Sequence, residues 1–403
     1  MRIAQIAPLF ESVPPRFYGG TERIVSYLTE ELVRQGHDVT LFASGDSKTS
    51  AKLVRCCDIA LRLNPIIADP VPHHVIMLEE VRRRADEFDV LHFHIDFLHG
   101  PLVRDLAPAV TTLHGRLDLP HIAPFYSVFS ELALIAVSAD QRRYLPSADW
   151  VGTVHHGLPR DLLRPQRNGS GGYLAFLGRI SPEKRPDYAI EIAAKTGMPL
   201  KIAAKVDRAD EAYWDETIRP LVKASANVVF LGEITEHEKE SLLGHAMALL
   251  FPVDWPEPFG LVMIEAMACG TPVIALNRGS VSEVIQDGVS GFIVDTVDQA
   301  ISAVRRVDSI DRAKVRAEFE LRFTAERMAR EYLDIYETLP GIRARSAQQS
   351  RKTSYPPDLR PLKSGEPSVT PEAVGASEIV IHGPRNKLPK TSKRAAKNIV
   401  YRD

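Results

Sequence analysis

Residues 251–279 read FPVDWPEPFGLVMIEAMACGTPVIALNRG, and the order of residue types in this stretch sets the fold. The apolar segment Ala248 to Pro252 has the length and content of a strand buried on both faces. Pro-Glu-Pro-Phe-Gly follows as a loop. An apolar run from Leu261 to Ile264 comes next, Ala266 to Ala268 continue a helix that Gly270 ends, and Pro272 to Leu276 reads as another buried strand. Strand, loop, helix and strand in that order make one unit of a parallel α/β sheet. Glu257 then lies in the loop beyond the strand's C-terminal end. Phe259, Gly260 and Leu261 open the helix, where backbone N–H groups lack helical partners and favour an anion. Glu265 falls in the second turn, where its carboxylate can accept two hydrogen bonds from a diol such as a ribose. Taken singly, either glutamate is more often a solvated surface carboxylate.

The 403 residues are too many for one core, so two domains are expected. A hydrophobic content of 44% is ordinary for a soluble globular protein, and no apolar run approaches a membrane span. Met1 to Leu9 reads as a first strand, without the h-region and cleavage site of a secretory signal. Cys56 and Cys57 are neighbours, which rarely pair, and with Cys269 they show no metal-ligand spacing. A reduced, cytoplasmic protein is expected, with the inner face of the membrane as an alternative location. The net charge of −2 is uneven: from Arg343 on there are 13 Lys/Arg against 5 Asp/Glu. The body is therefore acidic, and no nucleic-acid partner is expected. The basic end, Lys387 to Arg402, could make weak peripheral contact with an anionic membrane, although a solvated tail is the simpler reading. Nothing in the sequence fixes an oligomeric state.

Taken in order, Arg2 to Pro8 reads as a central strand, and an amphipathic helix from about Thr21 carries Ile24, Val25, Leu28, Leu32 and Val33 on one face. Gly19 and Gly20 mark the turn between them, but the G-x-G-x-x-G dinucleotide fingerprint is missing, which argues against a nicotinamide or flavin enzyme. Glycine pairs alone more often mark a turn needing positive φ. Further strands are suggested at Val90 to Ile95, Ala109 to Leu113, Leu132 to Val137 and Gly152 to His155. His92 and His94 alternate along one strand with Asp96 just beyond, which makes a metal site conceivable, but spacing does not fix a third ligand and a polar crevice lining is the simpler reading, so no metal is expected. Ser138 is placed to cap a helix. Tyr173 to Leu177 opens a second sheet, and Arg179 and Lys184 flank the turn after it. Two cations at a helix entrance suit a pyrophosphate. Strands at Leu200 to Val206, Val228 to Leu231 and Gly291 to Val294 follow, then helices at about 298–307 and 325–336.

Glu257-Pro-Phe-Gly with Glu265 and Met-Ala-Cys-Gly-Thr-Pro-Val resembles the E-x7-E signature of the retaining glycosyltransferases of family four. Tyr18-Gly19-Gly20-Thr21-Glu22, the G-R-x-x-x-x-K run from Gly178 to Lys184, and Thr112-Leu113-His114-Gly115 are similar to that family at the matching places. The resemblance covers about residues 1–340 and implies the GT-B architecture: two Rossmann-like, doubly wound parallel-sheet domains facing across a cleft. It implies residues 1–165 as the acceptor-side domain, 166–324 as the nucleotide-sugar domain, and a helix at about 325–340 packing back on the first. His155 to Pro159 matches the hinge. Residues 341–403 are read from composition as a basic, disordered tail, and Arg167 to Gly172 as a flexible linker.

The same resemblance implies roles. His114 and Glu257 would face the transferred sugar. Gly19, Gly20, Arg179, Lys184, Phe259, Gly260 and Leu261 would hold the donor diphosphate, Glu265 the ribose, and Gly232 and Ile234 would touch the base. Ala203-Ala204-Lys205 departs from the family's glycine-rich turn. The implied partners are a nucleotide diphosphate sugar, as donor substrate and not as cofactor, and an acceptor alcohol. No D-x-D motif follows a strand in a convincing place, so cations and helix dipoles are expected to stabilise the leaving diphosphate. Two other readings stand beside transfer: a nucleotide-sugar epimerase of related fold and a catalytically silent nucleotide-sugar-binding protein.

Overall fold

Among the described residues thirteen strands form two sheets, and every pairing is parallel. The computed structural model describes residues 1–16, 19–102, 106, 108–166 and 171–350, with side chains to residue 339. Tyr18, residues 167–170 of the expected linker and residues 351–403 of the expected tail lie outside the described residues.

The first sheet holds β1 (Arg2–Ile6), β2 (Asp38–Ser44), β3 (Lys52–Cys57), β4 (Val90–Phe93), β5 (Ala109–Leu113), β6 (Leu134–Ala136) and β7 (Trp150–Thr153), in the order β3-β2-β1-β4-β5-β6-β7. The second holds β8 (Leu174–Arg179), β9 (Leu200–Lys205), β10 (Val228–Gly232), β11 (Ala248–Phe251), β12 (Val273–Leu276) and β13 (Gly291–Val294), in the order β10-β9-β8-β11-β12-β13. The central strands are apolar because helices cover both faces. All of β11 and β12 is buried, with Leu249 in register with Val273 on one side and Ala175 on the other.

Each sheet reverses its direction of growth once, between β1 and β4 and between β8 and β11. At such a switch point the loops beyond the strand ends diverge and leave a crevice, which is where open α/β sheets bind ligands. Residues 248–279 supply β11, its loop, the helix Leu261–Ala268 and β12, as their apolar pattern requires.

The helix Gly20–Arg34 buries Ile24, Val25, Leu28 and Leu32, the face its spacing specifies. The closing helix, Ala325–Ser350, runs past the residue 340 that the resemblance implies and returns to the first sheet. Tyr332 and Tyr336 are buried there, and Arg34 pairs with Glu326 at 3.0 Å. A Cβ on Gly152 of β7 would lie 2.5 Å from Ile335 Cδ1, so a larger residue there would push the Ile335 side chain aside.

Two elements escape the sequence pattern. β3 is a half-exposed edge strand, with Lys52 and Arg55 facing outward. The helix Val71–Arg83 leaves Val75 and Ile76 exposed on its polar side, which blurs its apolar period.

Candidate active site

The loops beyond β1, β4, β8 and β11 line one cleft of about 960 Å³. Both switch points therefore open into the same space. Gly20 begins one helix and Leu261 another, and a Cβ on Gly20 would lie only 3.6 Å from Leu261 Cδ1. Two helix N-termini, one from each sheet's surroundings, meet across the cleft. Gly19 is extended rather than left-handed, with φ 163, so positive φ is not what it supplies. Close approach is: its Cβ would fall 2.8 Å from Pro15 Cβ. Gly260, at φ 81, does take the left-handed conformation that starts the motif helix.

Of the sequence-selected residues, Gly19, Gly20, His114, Arg179, Lys184, Ile234, Glu257, Phe259, Gly260, Leu261 and Glu265 all line this cleft. Gly232 does not; it ends β10 at φ 72. Ala203 and Ala204 line the wall beside Ile234 and Phe251.

The charged residues neutralise one another. Lys184 is ion-paired with Glu257, and its ammonium lies 4.9 Å from the Trp255 ring centre. Arg179 pairs with Glu183 and lies 3.4 Å from Asp210 and 3.8 Å from Asp207. Glu265, 3% exposed, pairs with Lys239 at 2.7 Å. Lys239 in turn meets Glu236, which pairs with Arg23 of the first helix. Sequence reasoning missed Lys239 and Glu236. Thr235 and Glu238 form a capping box that starts their helix, Glu236–Gly244, and that T-x-x-E spacing is the signal that would have found it.

A histidine cluster forms the cleft's other wall. His92 Nδ1 lies 2.7 Å from the Tyr336 hydroxyl and its Nε2 2.7 Å from Thr112 Oγ1. His94 bonds Gln5 Oε1 at 2.7 Å and His114 Nε2 at 2.9 Å. His114 stacks on His156 with centroids 5.2 Å apart, and His156 meets Phe259 edge-on. Burial pushes His114 down to about 3 and holds His92, His94 and His156 well below the ordinary histidine range, so the rings are neutral near pH 7. His92 and His94 are thus engaged in hydrogen bonds, and among the described residues no three His, Cys, Asp or Glu side chains gather as a metal-holding group. The three cysteines are free thiols. Among the described residues no helix is long and apolar enough to cross a membrane.

The family model for Glycosyltransferase Family 4 matches residues 18–167, and that for Glycosyl transferases group 1 matches residues 164–321. The chain is 27% identical over 331 residues to the D-inositol 3-phosphate glycosyltransferase of Mycolicibacterium smegmatis, covering 70% of this chain and 76% of that one. Against the enzyme of the same name from Mycobacterium tuberculosis it is 27% identical over 314 residues, 65% of each chain. Among solved structures, sucrose-phosphate synthase from Thermosynechococcus elongatus superposes with a TM-score of 0.71 at 19% identity, over 85% of this chain and 99% of that one. AviGT4, a glycosyltransferase of avilamycin A biosynthesis, gives 0.65 at 22% identity, over 84% and 97%. Anabaena HepE in complex with UDP-glucose gives 0.64 at 17% identity, over 85% and 100%. At these identities the structures establish the two-domain fold and no more.

Proposed function

We propose, because the chain belongs to the family 4 type of glycosyltransferases, that it moves a hexosyl group from a nucleotide diphosphate sugar to an acceptor hydroxyl, with retention of configuration and without a divalent metal. The observation that carries this reading is the meeting of two helix N-termini, at Gly20 and Leu261, beside Lys184 and Arg179. Backbone N–H groups and two cations suit a diphosphate whose charge grows as the sugar leaves.

Residues 166–324 are assigned as the donor domain and 1–165 as the acceptor side. Arg179, Lys184, Gly19, Gly20, Phe259, Gly260 and Leu261 surround the diphosphate, and Glu265 takes the ribose. Glu257 and His114 face the sugar. Ile234, with Ala203 and Ala204, borders the base; Gly232 shapes that loop from outside the cleft. The leaving phosphate takes the acceptor's proton on the face it departs from. The reaction is assigned to the cytoplasm.

Thermal-shift screening against UDP-, GDP- and ADP-sugars identifies the donor, because a ligand of the native state raises the melting temperature by mass action. UDP-glucose, bound by HepE, is the first probe, and D-inositol 3-phosphate, named for the mycobacterial relatives, is the first acceptor. Product spectra should keep the anomeric configuration of the donor sugar, and turnover should persist in EDTA. Inverted product, or loss in EDTA restored by manganese, would falsify the corresponding half. Epimerised sugar from donor alone would replace transfer with the epimerase reading.

A further inference from the structure

Gln5 does not fit its strand. It sits fully buried in the central strand β1 among Ile3, Ala4 and Ile6. A buried amide must find partners at both ends. Its Nε2 donates to the Tyr336 hydroxyl at 3.4 Å, and its Oε1 accepts from His94 Nε2 at 2.7 Å. The Tyr336 hydroxyl also lies 2.7 Å from His92 Nδ1. In this orientation the hydroxyl oxygen accepts from the amide and its proton is free to go to His92.

The proton positions then follow in one direction. His94 carries hydrogen on Nε2, and as a neutral ring it has only a lone pair at Nδ1. That nitrogen lies 2.9 Å from His114 Nε2, so the hydrogen between them belongs to His114. His114 is neutral too, which leaves Nδ1 bare. It is buried and has no protein partner among the described residues. A desolvated acceptor in a cleft wall costs free energy that a donating ligand recovers.

We propose that Gln5 and His94 are positioning residues that fix His114 as its Nε2–H tautomer, so that the ring meets the donor sugar as an acceptor and selects a hydroxyl that gives its proton to Nδ1. This rests on the assignment of His114 to the sugar.

The test is nitrogen-15 spectroscopy of the histidine-labelled full chain, free of ligand, near neutral pH. The signal of His114 among 13 histidines is identified by its loss in His114→Asn. The expected spectrum shows Nε2 protonated and Nδ1 bare in the wild type. His94→Leu and Gln5→Leu should mix the tautomers. His94→Asn, whose amide oxygen replaces the Nδ1 lone pair, should keep more of the original one. With the donor found by thermal shift, His94→Leu should lower kcat by about tenfold or more with nucleoside diphosphate affinity held within about twofold, and His94→Asn should recover part of the loss. A wild-type His114 protonated at Nδ1, or charged, overturns the proposal. So does an unchanged tautomer in both leucine variants. If those variants fail to fold, the wild-type spectrum and His94→Asn decide. A chain that binds no nucleotide sugar removes the sugar-facing assignment but leaves the spectrum, and hence the relay, standing.

Discussion

At the scale of single residues, the proposed function makes the Lys184–Glu257 ion pair the link between the phosphate side of the cleft and its sugar side. Glu257→Gln removes the carboxylate that competes for Lys184. Nucleoside diphosphate should then bind as tightly as before or tighter, while kcat falls by roughly 10²-fold, the usual cost of one electrostatic contact made mainly in the transition state. Lys184→Ala removes a charged contact typically worth about 1.5–3 kcal/mol, so diphosphate affinity should fall by about 10- to 150-fold. It also leaves Glu257, 8% exposed, without its cation, so the melting temperature should drop. Calorimetry beside steady-state kinetics checks both. Equal loss of diphosphate affinity in the two variants would mean that the pair does not divide phosphate from sugar. With Glu265 assigned to the ribose, which does not change during reaction, Glu265→Gln should raise the donor KM and leave kcat nearly unchanged. A collapse of kcat would place the reacting carbon beside Glu265 instead.

At the scale of elements, the Glu257 loop is held from behind by a turn that the sequence did not single out. Ser280 donates its backbone N–H to the Glu257 carbonyl at 3.0 Å and its hydroxyl to the Phe259 carbonyl at 2.8 Å. Gly279, at φ 58, packs so closely that a Cβ would lie 2.3 Å from the Glu257 carbonyl oxygen. Gly279→Ala must move that loop, so it should cost about 2–3 kcal/mol in urea unfolding and lower kcat as well. Gly288 is the control. Its φ of 74 is also positive, but nothing lies within 4 Å of its Cβ, so Gly288→Ala should cost only about 1 kcal/mol and leave kcat alone. Equal kcat in the two variants would show that the turn does not support Glu257. Gly279 was illegible because a glycine's letter does not say what backbone lies beside it. The helix Leu261–Ala268 was legible because its caps and apolar run are adjacent in sequence.

At the scale of the whole molecule, buried neutral histidines tie stability to pH. His92, His94, His99, His114 and His156 all have native pKa values lowered by burial. Their unfolded counterparts bind protons near pH 6.5, while the native rings stay bare until far lower pH. The unfolded state then holds more protons, so stability is full above about pH 6.5 and falls as pH drops, by up to about 1.4 kcal/mol per pH unit for each such ring. Glu11, Glu22, Asp149 and Asp210, whose pKa values burial raises, and Asp96, pushed up to about 6, work in the opposite direction, while His37 and His74, lowered by burial, add to the histidine side. Denaturant midpoints from neutral pH down to about pH 5 should therefore decline steeply, before ordinary carboxylates protonate. A flat profile would mean that these rings are protonated in the native protein.

Sequence alone determined the parallel α/β class, the order of the main strands and the helix that follows Glu257. These features arise from local periods and caps, and a buried parallel strand must be apolar wherever it lies. It also located the anion-favouring helix start at Leu261, the glycine turn before the first helix and both carboxylates. Only the tertiary structure decided what they face. Glu265 meets Lys239, 26 residues away, and Lys184 meets Glu257 across 73. Gln5 meets Tyr336 across 331. Partners so distant along the chain are set by how the two sheets and the closing helix pack, and no local pattern of residues encodes that packing.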